Sequence, residues 1–97
     1  MEFEWDKGNI GKSFKRHNVS DREAEEVFSD FNKAKYPDPK HSNTESRYIL
    51  TGQTQQKRQL LVIYTIRKNY IRIISARDLN KRKEGHLYEK AFNTTKI

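Results

Sequence analysis

RQLLVIYTIRKNYIRIISAR, running from Arg58 to Arg77, is the densest apolar run in a polar chain. Two segments rich in Val, Ile, Tyr and Thr, Leu60 to Ile66 and Tyr70 to Ala76, flank Arg67, Lys68 and Asn69. Asn69 suits a tight turn, so the stretch reads as a β-hairpin at the centre of the fold. Its register has two solutions. A two-residue turn at Lys68-Asn69 sets Arg67 opposite Tyr70 and Thr65 opposite Arg72. Arg67, Thr65 and Arg72 then share a face with Ile63 and Ile74. Leu60, Val62, Tyr64, Ile66, Ile71 and Ile73 pack on the other face, with Arg77 at its far end. A three-residue turn shifts the pairing by one. It aligns Arg67 with Arg77 and sends Arg72 to the opposite face. Alternation alone does not choose between them.

The composition bounds what surrounds the hairpin. Ninety-seven residues suffice for one domain, 1–97, with a core of limited size. Only 33% of the residues are hydrophobic against 34% charged, so the apolar residues must be concentrated in few elements. With no cysteine, disulfides, thiolate metal sites and thiol nucleophiles are excluded. No apolar run reaches a membrane-spanning length, and Met1 leads directly into charged sequence; a soluble, cytoplasmic chain is expected. Twenty Lys and Arg against 13 acids give a net charge of +7, which suits a polyanionic partner or an acidic protein, and equally a solubilising surface.

Outward from the hairpin, the sequence predicts an α+β fold: N-terminal helices, a small antiparallel sheet and a C-terminal helix. Phe3-Glu4-Trp5 alternates like a short edge strand. Asp6 is placed to cap a helix over roughly Lys7 to His17, with Ile10 and Phe14 as its buried face and Asn18 as its C-cap. Ser20 and Glu23 form a capping box for a second helix, with Val19 and Ala24 spaced as a hydrophobic staple. Ala24, Val27, Phe28 and Phe31 make one apolar stripe, and Glu23, Glu25, Glu26 and Asp30 a solvated acidic face. Pro37 and Pro39 argue for a loop from Asn32 to Thr44. Arg47 to Gln53 reads as a strand in which Gly52 marks a bulge or bend, and Thr54 to Lys57 as a polar turn. A last helix follows, with Asp78 as N-cap and Leu79, Leu87, Tyr88, Ala91 and Phe92 on one face.

Several of these residues suit one kind of chemistry. A phosphodiester is cleaved without a metal when a ribose 2′-hydroxyl attacks phosphorus. A base takes the 2′ proton, an acid protonates the leaving oxygen, and cations stabilise the phosphorane. Arg67, Arg72 and Arg77 are candidates for the cationic role, because a guanidinium grips two phosphate oxygens and keeps its charge. They are equally compatible with ordinary surface ion pairs. His41 and Glu45 are candidates for proton transfer, against a plain loop histidine and a local pair between Glu45 and Arg47. Lys68, Thr65, Arg58 and Tyr88 are candidate RNA contacts, although Tyr88 equally fits a core position. Lys81, Arg82 and Lys83 read as a solvated basic run. Neither an H-E-x-x-H pattern nor a Cys/His cluster is present, so no metal or other cofactor is expected.

The motifs together resemble the BrnT family, ribonuclease toxins of bacterial type II toxin–antitoxin systems. The resemblance rests on F-E-W-D at Phe3 to Asp6, R-H-N-V-S at Arg16 to Ser20 and E-A-E-E-V-F at Glu23 to Phe28. It continues in D-x-x-H-S-x-x-E-x-R from Asp38 to Arg47, Y-T-x-R at Tyr64 to Arg67, I-R-I-I-S-A-R at Ile71 to Arg77 and E-x-x-x-Y-E from Glu84 to Glu89. Departures are Lys57 and Asn18, where glycine is frequent in the family, and Gly85. The resemblance implies a RelE-like fold, metal-independent RNA cleavage, growth arrest and a BrnA-type antitoxin with a ribbon-helix-helix DNA-binding domain. DNA would then be contacted only through the antitoxin. It also implies that His41, Glu45, Arg67, Arg72 and Arg77 carry the chemistry. A non-catalytic RNA- or protein-binding module using the same basic sheet is the competing expectation. Direct reading of duplex DNA fits least, since no helix joins a basic reading face to helix-turn-helix spacing.

Overall fold

A computed structural model describes the backbone of residues 2–39 and 45–96, and the side chains of those residues up to 88. The elements in chain order are β1 (Glu2–Phe3), α1 (Lys12–His17), α2 (Asp21–Val27), β2 (Ala34–Pro37), β3 (Arg47–Gln53), β4 (Gln59–Arg67), β5 (Tyr70–Asp78) and α3 (Lys81–Lys96). They form an α+β fold around a five-stranded sheet of order β1-β5-β4-β3-β2. The expected three-strand meander is its middle. β1 adds in parallel to β5, and β2 adds antiparallel to β3.

β2 corrects the reading of Asn32 to Thr44 as a loop, over Ala34–Pro37. Pro37 lies in a strand, paired with Tyr48. Proline is tolerated there because β2 is an edge strand, with a side that needs no N–H donor.

The central hairpin turns in two residues. Lys68 and Asn69 both have left-handed backbone, φ 49° and 69°, which matches the twist of the flanking strands. Arg67 pairs with Tyr70, and Thr65 with Arg72. The ladder then slips: Tyr64 faces Ile73, but Ile63 faces Ser75, leaving Ile74 as a bulge. Beyond it Arg77 pairs with Leu61. Arg77 therefore lies on the face of Leu61, Ile63 and Arg67, not on the opposite face that a regular two-residue hairpin requires. The two-residue register holds from the turn as far as Tyr64 and Ile73, and only beyond the bulge does the pairing shift by one. The bulge brings all three arginines to one side.

Each face of the sheet has its own core. Val19, Ala24 and Val27 from α2 and its approach bury Leu50, Leu60, Val62, Tyr64, Ile73 and Ala76. Phe3, Phe28 and Tyr64 continue this core as edge-to-face rings with centroids 5.1 and 5.0 Å apart. On the other face Leu79 and Tyr88 cover Leu61, with Ile49 and Ile63 beside them. Gly52 sits in regular ladder opposite Leu60, so it marks neither bulge nor bend. A Cβ there would lie 2.8 Å from Val27 Cγ1, and its absence lets α2 approach the sheet.

The N-terminal helices depart furthest from expectation. α1 begins only at Lys12, after Gly11 turns left-handed at φ 70°. Asp6 caps a turn instead, accepting the Gly8 N–H at 2.7 Å. Ile10 and Phe14 are each 57% exposed, and Asn9 and Ser13 take the buried positions. The reason is the open edge of β5. β1 pairs with it only at Tyr70 and Ile71. Beyond that, Asn9 donates to the Ile73 carbonyl at 3.0 Å, and Ser13 accepts the Ala76 N–H at 2.8 Å. Unpaired backbone groups there demand polar partners more strongly than the core demands two more apolar side chains.

α2 carries the expected capping box, with Ser20 Oγ accepting from Glu23 N at 3.0 Å and Glu23 Oε1 from Ser20 N at 2.9 Å. The helix stops at Val27 with Phe28 as C-cap, so Phe31 falls outside the stripe and is 89% exposed. The acidic face is not merely solvated. Glu25 accepts from Trp5 Nε1 at 2.6 Å, and Asp30 accepts from Gln53 N and Tyr88 Oη at 2.8 and 2.7 Å. Asn80, not Asp78, caps α3: its Oδ1 accepts from Arg82 N and Lys83 N. Asp78 is still in β5. Ala91 and Phe92 fall outside the described side chains.

Candidate active site

The hairpin places Arg67, Thr65 and Arg72 together near its turn. Arg67 grips Glu45 with two bonds, Nε to Oε2 at 2.9 Å and Nη2 to Oε1 at 2.8 Å. Arg72 grips Asp6 likewise, at 2.9 and 2.8 Å, and reaches Glu4 Oε1 at 3.0 Å. The Arg72 side chain is only 12% exposed, whereas that of Arg67 is 49% exposed. β1 explains the second cluster. Running parallel to β5, it delivers Glu4 and Asp6 alongside Arg72, and Gly8 lets the chain turn tightly over the guanidinium. A Cβ on Gly8 would lie 2.4 Å from Arg72 Nη2.

These charges act on one another. Arg67 holds the Glu45 carboxyl below its ordinary range, helped by the positive fields of Arg47 and Arg72. Asp6 is held down first by Arg72, then by the Gly8 N–H, with Arg67 contributing at longer range. Both carboxylates are therefore ionised at neutral pH and are proton acceptors there, not donors.

Arg77 lies on the same face, five residues beyond Arg72, a separation on the order of 15 Å. Its fork closes on Glu84 at 2.8 and 2.6 Å, tying β5 to the first turn of α3. Between the two centres is a cavity of about 170 Å³ lined by Asp38, Arg47, Ile63, Ile74 and Ser75. The bulge thus positions Ile74 and Ser75 beside the candidate site.

The remaining candidates are placed as follows. Lys68 is exposed in the turn. Thr65 is buried and donates its hydroxyl to the Ser46 carbonyl at 2.7 Å. Tyr88, on α3, is buried against Leu61 of the sheet and donates its hydroxyl to Asp30. Arg58 lies at the opposite end of β4, where it binds Asp78, both Glu23 oxygens and the Asn18 carbonyl. That arrangement clamps α1, α2 and β5 together and is remote from the hairpin turn. His41 lies outside the described residues. Among the described residues, no three His, Asp or Glu side chains converge on a point where a metal ion would sit. No helix among them is long and apolar enough to cross a membrane.

Glu4 and Asp6 were not singled out from sequence as site residues, though they lie within the F-E-W-D motif. Their signal is the alternation of two carboxylates with an apolar residue, in a segment that pairs beside an arginine-bearing strand.

Fold and site define a small α+β protein whose sheet carries paired arginines and carboxylates at its exposed end. Comparison makes this specific. The family model described as "Ribonuclease toxin, BrnT, of type II toxin-antitoxin system" matches residues 5–83. The chain belongs to the BrnT toxin family. No curated protein matches it in a sequence search. Membership makes this a ribonuclease toxin of a type II system, with RNA as substrate and an antitoxin as partner.

Proposed function

We propose that the chain is a metal-independent endoribonuclease whose phosphate-binding and transition-state groups are Arg67 and Arg72. The whole chain, 1–97, acts as one toxin domain in the cytoplasm. It is neutralised by a BrnA-type antitoxin and arrests growth when released from it. The observation that carries this reading is the pairing of both guanidinium forks, side by side on one face, with carboxylates that have the planar geometry of a bound phosphate edge.

The two arginines divide the work. Arg72, nearly buried and held by two carboxylates, is a fixed charge. Arg67 forms a solvent-screened pair of a kind that adds little to stability, so a phosphate can displace Glu45 at small cost. That exchange leaves an ionised carboxylate next to the bound phosphodiester. Glu45 then takes the 2′-hydroxyl proton as the oxygen attacks phosphorus. The P–O5′ bond breaks, and His41 is assigned the protonation of the leaving oxygen. Arg67 and Arg72 meet the growing charge on the non-bridging oxygens. The products are a 2′,3′-cyclic phosphate and a free 5′-hydroxyl.

Arg67→Ala should lower the cleavage rate by about 10²–10³-fold while its thermal midpoint stays near that of the wild type. Cleavage should persist in excess EDTA. Undiminished cleavage by Arg67→Ala, or a strict requirement for a divalent ion, would overturn the mechanism. A second reading has one observation in its favour: Arg67, Arg72 and Arg77 are all already held by carboxylates, as in a purely structural network. A non-catalytic module of that kind binds RNA without shortening it, which the same assay distinguishes.

A further inference from the structure

Behind Arg72, where β5 bulges, a second cavity of about 220 Å³ opens between α1 and the strand. Lys12, Ser13, Arg16 and His17 line it from α1, with Gly8, Ile74 and Ser75 completing its walls. Its cations differ from those of the candidate active site. Arg58, Arg67, Arg72 and Arg77 each hold a carboxylate. Lys12 and Arg16 are exposed, and neither forms an ion pair with a described residue. They stand one helical turn apart, so both charges face the same cavity. The location is continuous with the site: Gly8 belongs to the cavity wall and also abuts the Arg72 guanidinium, and Ser75 lines this cavity and the one beside Arg47.

We infer that this cavity is a phosphate subsite for single-stranded RNA, in which Lys12 and Arg16 hold the backbone next to the cleaved position. The inference rests on the ribonuclease reading and extends it along the strand. A polyanion threaded past Arg67 and Arg72 must cross the open edge of β5. There it meets two cations that no described carboxylate holds, and serine hydroxyls able to bond to phosphate or ribose. Ser13 already accepts the Ala76 N–H, which fixes α1 against the bulge and keeps Lys12 and Arg16 in place. The bulge thus serves both sites, opening the edge where the strand passes.

The test uses the full chain and the double variant Lys12→Ala/Arg16→Ala. Lys15→Ala/Lys33→Ala serves as a control for equal charge loss away from the cavity. Binding of a labelled single-stranded oligoribonucleotide is measured across a salt series, alongside steady-state cleavage. The expected result is roughly tenfold weaker binding, raised KM and little change in kcat, with the slope of log K against log salt smaller by about 1.4 for two lost phosphate contacts. Cleavage of a dinucleotide, too short to reach the cavity, should be unchanged, and the control should behave like the wild type. If the wild type cleaves RNA and the double variant matches it in affinity and salt slope, the subsite alone is overturned. If the wild type neither binds nor cleaves RNA, the ribonuclease reading falls and the subsite with it. Loss of antitoxin affinity with RNA binding intact would assign the cavity to a protein partner and also overturn the inference.

Discussion

At the scale of single residues, backbone conformation explains departures that side-chain chemistry does not. Lys57 holds φ 71° in the turn between β3 and β4, where Thr54 N bonds to Arg58 O at 2.8 Å. A left-handed residue with a Cβ costs about 1–2 kcal/mol, while glycine loses about 0.5–1 kcal/mol more unfolded entropy. Lys57→Gly should therefore stabilise the protein by roughly 0.5–1 kcal/mol, seen as a higher denaturant midpoint at unchanged m-value. Gly52 predicts the opposite sign. Its missing Cβ is what Val27 packs against, so Gly52→Ala should cost about 1–3 kcal/mol by overpacking. Wild-type stability in that variant would mean that α2 can slide away freely. Residues read from local rules were legible: the Ser20–Glu23 box depends only on its neighbours in sequence, and so does the place of the hairpin turn, though not its length. Ile10, Phe14 and Phe31 were not. Their exposure follows from the open edge of β5 and from where α2 stops, facts that helical spacing does not contain.

At the scale of elements, the helix caps and the hairpin decide how well the arginines are held. α3 starts from Asn80, whose side chain satisfies two helix N–H groups and whose own N–H binds Glu84 at 2.8 Å. The same Glu84 holds Arg77, so cap and ion pair are one network. Asn80→Ala should cost about 1 kcal/mol. It should also weaken the Arg77–Glu84 pair, which a double-mutant cycle between Asn80 and Arg77 would detect as non-additivity. Additive effects would separate the two. The hairpin's existence was plain from its β-rich composition, but its faces were not. Alternation counts residues and assumes that the count is unbroken, and the slip between Ile63 and Tyr64 breaks it. The cluster of Arg67, Thr65 and Arg72 near the turn is one of the two arrangements that alternation allows, and it survives because it precedes the slip. Arg77 was misplaced because it follows it.

At the scale of the whole molecule, the +7 charge is unevenly committed. Arg67, Arg72 and Arg77 on the sheet are bound to carboxylates, while Lys12 and Arg16 at its edge have no ion-pair partner among the described residues. The paired carboxyls of Asp6, Glu23, Glu45, Asp78 and Glu84 all titrate below their ordinary values, chiefly because arginines or backbone N–H groups hold the ionised form. A depressed folded pKa means that the unfolded chain binds protons first as pH falls. These pairs therefore contribute fully above about pH 5, and their contribution is lost as pH drops through 4 and below. The thermal midpoint should be flat from pH 5 to 8 and fall steeply below about 4. A midpoint that rose on acidification would contradict the network. The single extra residue in β5 has a last consequence, in the language of sequence alignment. Over the paired stretch, Tyr70 to Asp78 is one letter longer than Leu60 to Arg67, and that letter falls in the isoleucine doublet at 73 and 74. A gap placed there is silent: every pairing beyond it is kept, and Arg77 stays on the face of Arg67. A gap of the same size elsewhere in the hairpin exchanges the two faces downstream. In comparing such chains, the position of a gap in this hairpin therefore carries more information than the presence of an arginine.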